Sequence, residues 1–320
     1  MKKKWQQVRK WIRLVRTDAE RTPGIGRVIR KSKAMSLPGF QQVPLYDVMR
    51  FYVESLGKGI IFQRAAALTY RVFIALVPMI IALFSVISFL GEGVQNVLLE
   101  MIESVVPTYA WTAVSKIVTD VVTRQNGTFS ITMLVVGIYF TILCMNGILV
   151  ALNTSYYDEV RRNFIKQIGY SVVLMAVFFT AIVVVVMLFI VSSVLINDIH
   201  ERLLGGTSST GYIYIIHLVK WLLIYSTIYM LVSFTYYIAP VDRRNYRFFS
   251  AGSITCTVLL VILLWALNIY FSNFSNYNLI YGSLGALFAI LLWLNWSSLV
   301  LIIGYDLNVS IAKAKSLKGT

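Results

Sequence analysis

The chain has 320 residues, of which 58% are hydrophobic and 13% are charged, and its mean hydropathy is +0.73. A soluble domain is nearer half apolar and a quarter charged, so this composition excludes a soluble enzyme. Both cysteines, Cys144 and Cys256, lie in long apolar runs, which excludes a disulfide framework and a cysteine-rich zinc site. A net charge of +15 is compatible with a nucleic-acid partner, but membrane proteins also concentrate positive charge on one side of the bilayer.

The first 44 residues form a basic tail that ends in a linker rich in Pro, Gly, Ser and Lys. Seven basic residues surround an apolar stripe at helical spacing, made of Trp5, Val8, Ile12 and Val15. This pattern is typical of a helix that lies on anionic lipid, and equally of a solvated tail on the positive side of a membrane. Residues 44–59 follow, with apolar and charged residues on opposite faces, and predict an interfacial amphipathic helix.

Six later apolar runs are each long enough to cross the roughly 30 Å hydrocarbon core as a helix. They cover residues 72–90, 129–152, 169–196, 212–239, 248–270 and 282–304. Pro78 predicts a kink in the first and is a candidate pathway or gate residue for that reason. Residues 91–128 predict an amphipathic helical hairpin outside the membrane. The fold class expected is an all-α six-helix membrane bundle over residues 45–304, with tails at 1–44 and 305–320.

The basic residues divide unequally between the two sides of this topology. The side that holds both termini carries 25 basic and 8 acidic residues, a net +17, and the other side carries 4 basic and 6 acidic residues, a net −2. The positive-inside rule therefore predicts that both termini are cytoplasmic. Because topology accounts for the charge, the sequence indicates no specific nucleic-acid partner.

Polar residues at membrane depth are the candidates for a pathway or gate, since each needs a partner in hydrocarbon. In the predicted spans or at their edges they are Asn146, Asn153 and Lys220. The alternative to a pathway role is hydrogen bonding between helices for the two asparagines, and snorkelling to the outer surface for Lys220. An uncharged polar linker between the last two spans adds Tyr277, Asn278 and Tyr281. Near the end of the last span stand Asp306 and Asn308, and Arg64 and Arg71 are the basic residues that could pair with Asp306.

No catalytic motif is present in the chain. There is no phosphate-binding loop, no HExxH helix, no nucleophile elbow and no CxxC pair, and the only histidines are His200 and His217. The sequence therefore predicts no catalytic residue, no metal site and no cofactor.

Several stretches resemble the YihY/BrkB family of membrane proteins. They are residues 277–286 (YNLIYGSLGA), 291–294 (LLWL), 304–308 (GYDLN), 65–70 (AAALTY) with Pro78, and 236–240 (YYIAP). The chain departs from the family pattern at Asp306, where Glu is usual, and at Ala251, which stands where Pro often precedes Gly252. The resemblance implies a six-helix bacterial inner-membrane protein, of a kind labelled virulence factor BrkB or, by an old misassignment, ribonuclease BN.

The function expected is transport or export of a small or lipid-like solute, with Asp306 as a gating or coupling carboxylate. Its alternative is a surface acid beside Lys313 and Lys315 that has no such role. At the level of the whole protein, the alternative is a membrane scaffold or envelope-biogenesis factor that transports nothing. The sequence leaves the solute and the oligomeric state open. A ribonuclease is rejected because two scattered histidines do not supply the ligands of a zinc phosphodiesterase.

Overall fold

A computed structural model describes residues 43–56, 60–88, 115, 127–154, 162–202, 210–241, 247–273 and 283–316. Seven helices lie in these ranges, and no strand does. They are α1 (Leu45–Leu56), α2 (Ile60–Ser88), α3 (Gly127–Asn153), α4 (Phe164–Arg202), α5 (Thr210–Ile238), α6 (Ala251–Asn273) and α7 (Ser283–Ser316). The basic tail and the predicted hairpin at 91–128 fall almost wholly outside the described residues.

The six-span prediction is confirmed, since α2 to α7 are all long and apolar enough to cross a membrane. Five of the six helices are longer than the predicted apolar runs, most clearly at the first and last spans, and α6 is as long as its run. Helix α2 begins twelve residues before residue 72, because the polar turn that carries Arg64 is helical as well. Helix α7 continues to Ser316, so the predicted domain boundary at residue 304 falls inside this helix.

The spanning helices form a ring in chain order. Each packs on the next from α2 to α7, and α7 packs back on α2. The helix α1, amphipathic as predicted, lies against α7. Its buried Val48 packs with Leu307 and Ile311 of α7 and with Ala251 at the start of α6. Helix α1 therefore covers the end of the bundle at which α2 begins and α7 ends.

Side chains are buried at this covered end and are more exposed away from it. Tyr236, Ala239, Cys256 and Tyr305 are all at most 2% exposed near the covered end. Near the middle of α5, the consecutive residues 221–223 are each at least 40% exposed. Because consecutive helical residues point about 100° apart, α5 is bare there over much of its circumference. Buried side chains are therefore concentrated at the covered end, whereas α5 is largely exposed beyond it, towards the opposite, open end.

Candidate functional site at the covered end of the bundle

A buried ion pair between Arg64 of α2 and Asp306 of α7 lies at the covered end. One guanidinium nitrogen, Nη1, donates to both carboxylate oxygens at 3.1 Å, and the two side chains are 7% and 1% exposed. The hydroxyl of Ser55, from α1, donates to the same carboxylate at 3.1 Å. Taking two charges out of water is costly, so such a pair persists only when hydrogen bonds satisfy both partners. Here the bonds come from several helices at once.

The other nitrogens of the Arg64 guanidinium cap the C-terminal end of α3. Its Nε donates to the carbonyl of Ala151 at 2.9 Å, and its Nη2 donates to that of Leu152 at 3.5 Å. Both carbonyls belong to the last turn of α3, where no intrahelical partner exists and the helix dipole favours a cation. Arg64 thus joins α2, α3 and α7, and Ser55 adds α1.

Asp306 lies in the middle of the α7 helix. The sequence suggested a carboxylate near a helix C-terminus, but α7 continues ten residues beyond Asp306. The alternative of a surface acid beside Lys313 and Lys315 is wrong, because Asp306 is buried and pairs with Arg64. Arg71, the other basic residue considered for this pair, is exposed two turns further along α2.

Helix α1 also brings Tyr52 towards the carboxylate. Burial and, secondly, the charge of Asp306 raise the pKa of Tyr52 to about 12. Both causes disfavour a phenolate, so Tyr52 is neutral at physiological pH. The tyrosine stands in the same apolar cluster that holds α1 on α7.

Asn308, two residues after Asp306, connects α7 to the start of α6. Its side-chain oxygen accepts from the backbone N–H of Gly252, and its amide donates to the hydroxyl of Ser250, both at 2.8 Å. Ser250 immediately precedes α6 and exchanges hydrogen bonds with Ser253, as an N-cap residue does. Asn308 therefore satisfies one of the N–H groups that every helix start leaves unpaired.

Helices α6 and α7 approach each other through two glycines. A Cβ on Gly252 would overlap the carbonyl oxygen of Gly304, and one on Gly304 would lie 2.7 Å from the Tyr236 hydroxyl. That hydroxyl donates to the carbonyl of Leu301 at 2.6 Å, and the Tyr236 ring packs edge-on against Tyr305 at 5.5 Å. Tyr236 therefore connects α5 to α7 at the closed end.

The other described candidate residues form no hydrogen bond or ion pair with the side chain of Arg64 or Asp306, although Asn153 directly follows Leu152, whose carbonyl accepts from Arg64. The side-chain oxygen of Asn146 accepts a 3.0 Å hydrogen bond from Gln167 and joins α3 to α4. Asn153 is the last residue of α3, and Pro78 lies within α2. Lys220 lies on α5, towards the open end. The remaining candidates, Tyr277, Asn278 and Tyr281, fall outside the described residues.

Sequence reasoning missed three contributors to the site, namely Ser55, Tyr236 and Gly304. Only the tertiary contact with Asp306 distinguishes Ser55 from an ordinary helical serine. Tyr236 and Gly304 both stand in stretches that carry the family resemblance, which was the one available signal. In the described part of the chain, no group of three or more His, Cys, Asp or Glu residues could hold a metal ion.

The ring of six apolar helices, closed at one end by a buried ion pair, defines a polytopic α-helical membrane protein. The family model described as Virulence factor BrkB matches residues 53–319, and the chain belongs to this family.

Several curated proteins are similar to the chain over most of their length. A protein named "Putative ribonuclease-like protein YfkH", from Bacillus subtilis, is 25% identical over 80% of this chain and 91% of its own. A UPF0761 membrane protein of Coxiella burnetii is 27% identical over 83% of this chain and 92% of its own. A UPF0761 membrane protein of Mannheimia succiniciproducens is 22% identical, over 80% and 86%. No solved structure matches.

Proposed function

We propose that the protein is a transporter or exporter of a small or lipid-like solute, and that the Arg64–Asp306 pair latches one end of its pathway. The observation that carries this proposal is the unequal packing of the ring. Four helices meet at one buried ion pair at the covered end, whereas many side chains of α5 and α6 are exposed towards the other end. A pathway that opens to one side at a time needs one closed end and one open end.

The surfaces bared at the open end favour a lipid-like solute. Large apolar side chains are exposed there on α5 and α6, among them Leu218, Leu222 and Trp265 at 60% to 66%. A hydrophilic solute would find few hydrogen-bonding partners on them, whereas an acyl chain would replace lipid at little cost. The described polar groups are concentrated instead at the closed end.

The proposal places the covered end, and both chain termini, on the cytoplasmic side of a bacterial inner membrane. The net +17 on that side of the topology supports this orientation. The proposal includes no enzymatic activity. The ribonuclease-like name of one relative is not carried over, because the chain has only two histidines and no motif that would cluster metal ligands.

A lipid translocation assay tests the proposal. The full chain is reconstituted into liposomes with a fluorescent NBD-phospholipid, and dithionite reports how fast lipid exchanges between leaflets. We expect exchange faster than in protein-free liposomes, slower exchange in Asp306→Asn, and an unchanged rate in Glu54→Gln, which alters an exposed acid beside Ser55. Where Asp306→Asn does not elute as a monodisperse species, Ser55→Ala takes its place, since it removes one bond to the carboxylate.

Exchange no faster than in protein-free liposomes would contradict transport of lipid-like solutes. It would favour a membrane scaffold, in which the buried ion pair would only hold the helices together.

A further inference from the structure

Lys220 lies on α5 in the seam with α4, far from the ion pair. Its ammonium stands 4.7 Å from the ring centre of Phe189 in α4 and 5.8 Å from that of Trp221. The neighbouring Ile216 and Ile224 lie one turn away on either side, at a spacing of four residues that faces α4. Among the described side chains, no carboxylate lies within ion-pair distance of Lys220.

The depth of Lys220 puts its charge near the lipid headgroups. It follows residue 212, where the apolar run of α5 begins, by eight residues, or about 12 Å along the helix axis. Helical side chains lean towards the N-terminus of their helix, which for α5 is the open end. A lysine side chain therefore reaches from this depth towards the membrane surface.

The surface directly below this charge is apolar and exposed. One turn deeper on the same side of α5, Leu223 is 40% exposed, and Leu222 beside it is 60% exposed. The ring of Trp221, which precedes Leu222 in the chain, stacks on the ring of Tyr225 with 5.8 Å between the ring centres. A cation at headgroup level above an exposed apolar surface is complementary to a phospholipid. The phosphate would lie at the cation, and the acyl chains would lie along the apolar surface.

The contacts of the ammonium leave part of its hydrogen-bonding capacity for a ligand. A ring face attracts the cation electrostatically but offers no lone pair, and an ammonium carries three N–H donors. In a bilayer, a charge held at one place requires an anionic or strongly polar partner. Phe189 fixes the ammonium in the α4–α5 seam, and an anion on its outer side completes its coordination.

We propose that Lys220, held over Phe189, binds the phosphate of an anionic phospholipid in the leaflet opposite the Arg64–Asp306 pair. The lipid chains lie along the exposed face around Leu223. This site does not depend on transport, because a scaffold would hold the same lipid.

Quenching by brominated lipid tests the site. The full chain with Leu223→Cys is labelled with a bimane fluorophore, since the native Cys144 and Cys256 are both buried. It is reconstituted into phosphatidylcholine vesicles that contain brominated phosphatidylglycerol or brominated phosphatidylcholine. The two quenching curves give the association constant of the anionic lipid relative to phosphatidylcholine at this position.

We expect a relative constant of about five, which is the factor that corresponds to one lysine acting on an anionic lipid. Lys220→Gln should lower it to about one, and Lys220→Arg should retain it. A label at Ile262→Cys, on the exposed face of α6, should give about one in each protein. A constant of about one with Lys220 present, or one that stays near five in Lys220→Gln, would overturn the proposal.

Discussion

Replacing Asp306 by Asn should destabilise the protein strongly. The substitution keeps the size of the side chain but removes its charge, so the guanidinium of Arg64 stays buried, at 7% exposure, without its counterion. Breaking a buried pair from one side costs about 3–5 kcal/mol. The bonds from Arg64 to the carbonyls of Ala151 and Leu152 hold the guanidinium in place, so it does not escape to water.

The assay is a double-mutant cycle on the free energy of unfolding, measured by circular dichroism as the purified protein is transferred from mild detergent to SDS. The variants are Asp306→Asn, Arg64→Gln and the two combined, with Glu54→Gln as the control. The double variant should be more stable than the sum of the single effects predicts, by about 2–3 kcal/mol, because no lone charge is buried in it. The exposed acid of the control should change stability by less than about 0.5 kcal/mol.

Effects that add to within about 0.5 kcal/mol would refute this reasoning, since they would show that the two side chains do not stabilise each other. Exchanging the two charges, by combining Arg64→Asp with Asp306→Arg, should not restore stability. The carboxylate introduced on α2 would then face the carbonyl oxygens of Ala151 and Leu152.

Three further predictions concern the closed end. Gly304→Ala should destabilise the protein by about 1–3 kcal/mol in the same unfolding assay, because the new methyl group meets the Tyr236 hydroxyl and the α6 backbone. Gly169→Ala, whose methyl group has open space, should instead stabilise α4 by about 0.5–1 kcal/mol, and equal effects would contradict the packing described. Tyr236→Phe should cost about 1 kcal/mol through the lost bond to the Leu301 carbonyl, and no loss would show that this bond contributes nothing. Because the folded state raises the pKa of Tyr52 to about 12, its contribution to stability is complete below pH 10 and is lost between pH 10 and 12. Tyr52→Phe should therefore flatten the fall of Tm over that range, and an unchanged fall would contradict the burial of Tyr52 near Asp306.

The spans could be predicted because length and hydropathy alone decide whether a helix crosses a bilayer. The ends of the first and last spanning helices could not be predicted, because the charged residues Arg64 and Asp306 lie outside the apolar runs that identify a span. Their mutual pairing is what allows α2 and α7 to continue as buried helices past these charges. Hydropathy is local, whereas this compensation joins residues 242 positions apart.

The candidate site was found in part. Because a carboxylate near a membrane requires a counterion, Asp306 and Arg64 could be selected from the sequence. Choosing Arg64 over Arg71 required the position of each arginine along α2, because the two lie on nearly the same face, two turns apart, and only Arg64 is level with Asp306. Ser55 could not be found, since amphipathicity shows only that α1 has a buried face and not which polar group on that face meets Asp306.

Thiol accessibility tests most directly whether the ion pair and α1 close one end of the bundle. Val48→Cys places a small thiol in the wholly buried contact of α1 with α7, in a chain whose own cysteines are buried. A membrane-impermeant methanethiosulfonate reagent should label it slowly in reconstituted protein, and at least about tenfold faster when Arg64→Gln weakens the closed state by about 1.4 kcal/mol or more. An equally slow rate in both proteins would contradict the claim that this pair holds the end closed.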